Sequence, residues 1–118
     1  MSEPVAAGPI RRGDVYWVDF SPARGSEQAG RRPAVVISTD SANRALATVT
    51  IAAVTTKLRP GSPLELILPR GRPCEEESAV KGHQVLTVDQ TRLGKLIGRL
   101  DAEQLEDLRR LLRMVWAL

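Results

Sequence analysis

Residues 31–56 read RRPAVVISTDSANRALATVTIAAVTT, and the fold class turns on this stretch. Pro33 to Thr39 carries Val35, Val36 and Ile37 in a run too short for a helix, so it reads as a buried strand. Asp40 to Arg44 fits a turn or one helical turn, with Asp40 or Ser41 available as its cap. Leu46 to Thr56 is dominated by Thr, Val, Ile and Ala and reads as a long strand. Two strands joined by so short a connection predict antiparallel pairing in a β-rich domain.

The neighbouring segments extend the same pattern. Asp14 to Phe20 is rich in Val, Tyr, Trp and Phe and stops at Ser21-Pro22, a further strand. Residues 21–31 have the Pro, Gly and Ser content of a long loop. Leu58 to Pro63 is a Pro/Gly loop, and Leu64 to Leu68 a short strand. Pro69 to Glu77 is Pro/Gly-rich, then acidic, and is expected to be exposed. Ala79 to Val88 is strand-like, with Lys81 and His83 in phase with each other and opposite to Gly82 and Gln84. Lys95 to Leu100 makes a last short strand. Asp101 and Gln104 then form a capping box before Leu105, Leu108, Leu112 and Val115 at helical spacing. Arg109, Arg110 and Arg113 lie near the end of that helix, where cations suit the dipole. The prediction is a mainly β fold with a C-terminal helix: five or six antiparallel strands in a small, strongly bent barrel. Residues 1–11 read as a flexible lead-in and 12–118 as a single domain.

Composition narrows the function. A chain of 118 residues supports one hydrophobic core, and 26% charged residues place it far from disorder. No apolar run approaches the ~18 residues that span a bilayer. The first nine residues lack the features of a signal peptide. The single cysteine, Cys74, excludes an intramolecular disulfide and a cysteine-only metal site, and a cytoplasmic location is expected. Glu75, Glu76 and Glu77 beside it make it a poor nucleophile.

Seventeen cations against fourteen acids give +3, and fourteen of the seventeen are arginine, whose planar fork matches phosphate. Basic loops at Arg24 to Arg32 and Lys57 to Arg72 suit a polyanion. The only aromatic residues are Tyr16, Trp17, Phe20 and Trp116, too few for a platform that holds single strands by stacking. Arg12-Gly13-Asp14 matches an adhesion tripeptide by chance, and the glycine loop before Arg31 lacks the Lys and Ser/Thr of a phosphate-binding loop.

Several motifs fall in a familiar order: Arg12-Gly13-Asp14-Val15-Tyr16-Trp17, Ser21-Pro22, Gly25-Ser26-Glu27-Gln28, Gly30 and Arg32-Pro33-Ala34-Val35-Val36. Asp40, Asn43-Arg44, Ala53-Val54-Thr55, Gln84, Thr87-Val88-Asp89 and Arg92-Leu93 follow. In these the chain resembles the MazF/PemK family of bacterial toxins over about residues 10–118. The resemblance implies an SH3-like barrel, a homodimer, and cleavage of single-stranded RNA at short sequences with no metal or cofactor. It also implies an acidic MazE-like antitoxin whose tail covers the RNA groove. Carried over, Arg32 and Thr55 become the central catalytic pair, and Glu27, Gln28 and Gln84 line the groove. Ser26, Arg31, Thr56, Lys57, Lys81 and Arg92 complete the expected RNA-binding set.

Metal-free cleavage uses the adjacent 2′-hydroxyl and leaves a 2′,3′-cyclic phosphate and a 5′-hydroxyl. Arg32 suits the clamp on phosphorane charge, and Thr55 can donate to a phosphate oxygen. Arginine stays protonated near neutral pH, so the proton acceptor lies elsewhere. His83 stands where many relatives carry an acid, and the sequence leaves it open as a proton shuttle or a structural residue. Two rival functions share the fold or the charge. One is a CcdB-like gyrase inhibitor, whose Trp-Gly-Ile tail has an imperfect echo in Trp116-Ala117-Leu118. The other is an RNA-binding module that does not cut.

Overall fold

Side chains alternate across a strand, and here the short apolar runs bury both of their faces. The computed structural model describes residues 8–20 and 30–118. Its strands are β1 (Asp14–Asp19), β2 (Arg31–Val36), β3 (Thr48–Thr55), β4 (Glu65–Leu68), β5 (Ser78–Asp89) and β6 (Leu93–Arg99). Helix α1 (Asp40–Ala45) joins β2 to β3, and α2 (Ala102–Trp116) follows β6. The expected loop at 21–31 lies largely outside the described residues.

All six strands join one antiparallel sheet in the order β4-β5-β3-β2-β1-β6. On one face Val15, Val35, Ala52, Val54 and Val80 pack against Leu108, Leu111 and Leu112 of α2. Tyr16, Val18, Ala34, Val36 and Ile51 form a second core on the other face. The sheet bends sharply but, among the described residues, is not closed by pairing between its edges β4 and β6. The segment between β4 and β5 occupies that gap. Pro73 lies against Gly98 of β6, and the Arg72 carbonyl accepts from Gln104 Nε2 at 2.9 Å. Arg72 also pairs with Asp101 at 2.6 Å. Cys74 is buried there, so the expectation that Pro69 to Glu77 is wholly exposed does not hold. No helix among the described residues is long and apolar enough to cross a membrane.

Both helix starts follow capping chemistry. Asp101 accepts from the Gln104 backbone N–H, while the Gln104 side chain accepts from the Asp101 backbone N–H, as the sequence predicts. The Gln104 N–H, and next Arg72, hold the Asp101 carboxyl below the ordinary carboxylate range. At α1 the cap is Thr39 rather than Asp40 or Ser41. Asp40 is engaged elsewhere, accepting from the Arg12 backbone N–H at 2.8 Å.

Gly13 turns the chain into β1 with φ +94°, and a Cβ there would meet Leu105 at 2.7 Å. The buried Asp14 carboxylate follows, accepting from Arg11 N–H, the Tyr16 hydroxyl and Arg99 Nε. Burial, and next the Asp14 charge, push the Tyr16 hydroxyl up from 10.0 to about 12. Folding therefore strengthens proton binding by Tyr16. Its contribution is full below the unfolded pKa and is lost as pH rises toward the folded one. Stability should decline between pH 10.0 and about 12 in the wild type. Tyr16→Phe should show a smaller decline over that window, at a cost of about 1 kcal/mol at neutral pH for the lost hydrogen bond. Urea unfolding across pH 7–12 measures both.

Candidate functional site

The register of the sheet decides which side chains share a face. Val18 pairs with Arg32, Ala34 with Ala53, and Thr55 with Ala79. Arg32, Ala53 and Thr55 therefore point to the same side as the Tyr16–Val36 core. β5 then departs from regular pairing: Ala52 faces Val85 and Val54 faces Val80, so Lys81–Gln84 stand opposite the single residue Ala53. A bulge of this size bends the strand and carries Gln84 over the face on which Arg32 stands.

The result is a cleft of about 330 Å³ lined by Phe20, Arg32, Ile51, Ala53, Gln84, Val85 and Leu86. Phe20 and Leu86 also border a second hollow with Asp19, Thr87, Asp89 and Arg92, so the two form one trough. Arg32 is exposed and makes no ion pair or side-chain hydrogen bond among the described residues, which leaves its fork available to an anion. The Thr55 hydroxyl oxygen accepts from the Lys57 N–H at 3.0 Å, and among the described residues its own proton has no acceptor.

The other expected residues are distributed unevenly. His83 is exposed on the bend beside Gln84 and has no hydrogen-bond or ionic partner among the described residues. Lys57 is exposed just beyond Thr55. Arg92 donates to the Asp19 carbonyl at 3.1 Å and so ties the end of β1 to the trough. Arg31 alternates away from Arg32. Thr56 lines a separate cleft with Trp17, Pro33 and Cys74 on the opposite face. Ser26, Glu27 and Gln28 lie outside the described residues.

Lys81 has a partner that sequence reasoning missed. Its ammonium lies 3.9 Å from Glu65, whose side chain is 2% exposed against 17% for Lys81. The two residues face each other between β4 and β5. The only signal in the sequence was a lone acid in an apolar run, and its meaning depended on strand register. Glu65 Oε1 has no hydrogen-bond partner among the described residues, so the lysine is the main compensation for a buried charge. Lys81→Met should cost about 3 kcal/mol at pH 7, and Lys81→Met with Glu65→Gln much less. Chemical unfolding of the single and double variants checks this.

Comparison with known proteins agrees with the geometry. The family model described as PemK-like, MazF-like toxin of type II toxin-antitoxin system matches residues 11–116. A curated relative, Endoribonuclease EndoA of Bacillus subtilis (strain 168), is 36% identical over 111 residues, covering 92% of this chain and 96% of its own. Among solved structures, MazF (Form-I) from Deinococcus radiodurans superposes with a TM-score of 0.73 at 27% identity, covering 92% of this chain and 96% of that one. The MazE-MazF structure (Form-II) from the same organism reaches 0.78 at 25% identity, covering 95% and 99%. An endoribonuclease from Mycobacterial species shares the fold at 0.78 and 21% identity, with 94% of each chain covered. A family match over nearly the whole domain, with a curated relative 36% identical across it, settles the assignment: the chain belongs to the PemK-like, MazF-like toxins of type II toxin–antitoxin systems.

Proposed function

We propose that the chain is a metal-independent, sequence-selective endoribonuclease acting on single-stranded RNA in the cytoplasm. The observation that carries this reading is the exposed Arg32, with no partner among the described residues, in the same cleft as Gln84 and on the sheet face that also bears Thr55. The named activity of the Bacillus subtilis relative supports it.

In the proposed reaction the 2′-hydroxyl loses its proton and its oxygen bonds to the adjacent phosphorus. The bond from phosphorus to the 5′-oxygen breaks, and that oxygen takes up a proton. The products are a 2′,3′-cyclic phosphate and a 5′-hydroxyl. Arg32 clamps the charge that builds on the equatorial oxygens, and Thr55 donates its free proton to one of them. His83 accepts the 2′-proton. Gln84 reads a base edge, and Lys57, Arg92 and the 26–28 segment hold the strand. Lys81 contributes charge at the groove wall while remaining paired to Glu65.

A cognate acidic antitoxin would cover this trough, in keeping with the relatives solved in complex with one. The unit is proposed to be a homodimer. The half-exposed Trp116 and the exposed Leu118 border a cleft with Ile37, Val85 and Leu112, an apolar face that a second copy would cover.

Incubating the protein with a long RNA in EDTA and mapping the ends tests the reading. Discrete cuts with 5′-hydroxyl ends are expected; intact RNA would refute it. Arg32→Ala should lower the rate by ~10²-fold or more with a smaller loss of affinity. Arg32→Lys should rescue poorly, since a point charge lacks the fork. Thr55→Val keeps the shape, removes the donor, and should be severely impaired. For His83, replacement by Gln removes the proposed proton acceptor and should slow cleavage by ~10²-fold. An unchanged cleavage rate in His83→Gln would remove it from the proton transfer.

A further inference from the structure

The bulge in β5 creates a demand that is met from behind the cleft. Opposite Ala53 four residues replace one, so the peptide groups of Lys81–Gln84 lose regular partners on β3. Buried or half-buried backbone groups must be satisfied somewhere. At Gly82 both are. Its N–H donates to the Leu64 carbonyl at 2.9 Å, and its carbonyl accepts from the indole Nε1 of Trp116 at 2.9 Å.

Trp116 is the last residue of α2, and the same helix presses Leu111 onto this point. A Cβ on Gly82 would lie 2.9 Å from Leu111 Cγ and Cδ2 and 3.2 Å from the Leu64 carbonyl. One glycine is thus held between β4 and the final turns of α2. His83 and Gln84 follow it directly, and Gln84 lines the Arg32 cleft. Trp116 is 48% exposed, so burial alone does not account for its seat. Its specific contact is the hydrogen bond to the bend.

We propose that Trp116 is a positioning residue for the cleft. Its indole N–H holds the Gly82 carbonyl and thereby fixes where His83 and Gln84 stand relative to Arg32. The consequence for RNA rests on the proposed function; the consequence for the bend does not. Trp116→Phe keeps most of the apolar ring and leaves the Gly82 carbonyl without its donor.

The test compares wild type and Trp116→Phe at a concentration where sedimentation gives both the same oligomeric state. Amide hydrogen exchange at His83 and Gln84 should accelerate by ~10-fold, with β1 and β2 unchanged. Affinity for an RNA carrying 2′-deoxyribose at the mapped cut should weaken by ~5–10-fold, the scale of one lost hydrogen bond. KM for cleavable RNA should rise correspondingly, and kcat should fall several-fold as well, because His83, the proposed proton acceptor, stands on the same bend. Because Trp116 acts through the bend, adding Trp116→Phe to Gln84→Ala should weaken binding little further. Unchanged exchange at His83 and Gln84 would overturn the proposal. So would faster exchange with unaltered RNA affinity, or full additivity with Gln84→Ala. If the wild type neither binds nor cuts RNA, the functional reading falls and the positioning role falls with it, while exchange still reports whether the indole holds the bend.

Discussion

The constraint on which the structure depends is the unequal pairing of β5. One strand of twelve residues must pair with β4 at its start and with β3 along most of its length. Regular pairing cannot do both on so small a sheet without a sharp bend, and the four residues opposite Ala53 supply it. The bend turns a six-stranded antiparallel sheet into a half-closed shell with a concave face. Gln84, Val85 and Leu86 reach the cleft because of it, and β4 folds back toward α2 because of it. A side chain at residue 82 would crowd Leu111 and the Leu64 carbonyl, which already fill that space.

Charge is distributed around this shell in two ways. Two carboxylates within the fold are buried and matched by cations, Asp14 by the half-exposed Arg99 and Glu65 by Lys81. Both pairs have desolvated carboxylates, so removing a cation alone costs far more than the pair contributes. Arg32 is the opposite case. It sits at the open end of β2, exposed, with Pro33 following it and no described acid paired to it. An arginine with no partner among the described residues, beside matched neighbours, is poised for an external anion.

Much of this was legible in residue order. The strands follow short β-branched runs bounded by Pro and Gly, and the capping box marked the start of α2 at Asp101. Arg32, Thr55 and Gln84 could be picked out through motif order, and the register places Arg32 and Thr55 on one face. What stayed hidden depends on pairing rather than pattern. Lys81 looks like a free cation until β4 brings Glu65 opposite it. Thr56 looks adjacent to Thr55, yet alternation sends it to the far face with Trp17 and Pro33. Cys74 lies in a stretch that reads as solvent-exposed, and its burial follows from the need to fill the gap between the sheet edges. Trp116 reads as generic helix apolarity; its bond to Gly82 spans 34 positions.

The order of the strands also sets a timetable. β1 is made first but takes one of its two partners, β6, from residues 93–99, and Val15 pairs with Gly98 across most of the chain's length. α2, which supports β5 from behind, follows β6. Local pairing such as β2 with β3 can form early, whereas these long-range contacts must wait. A nascent chain therefore carries Arg32 through most of its synthesis without the walls that define the cleft. The trough's walls are complete only once β5 has emerged, and the support that α2 gives them from behind comes last of all.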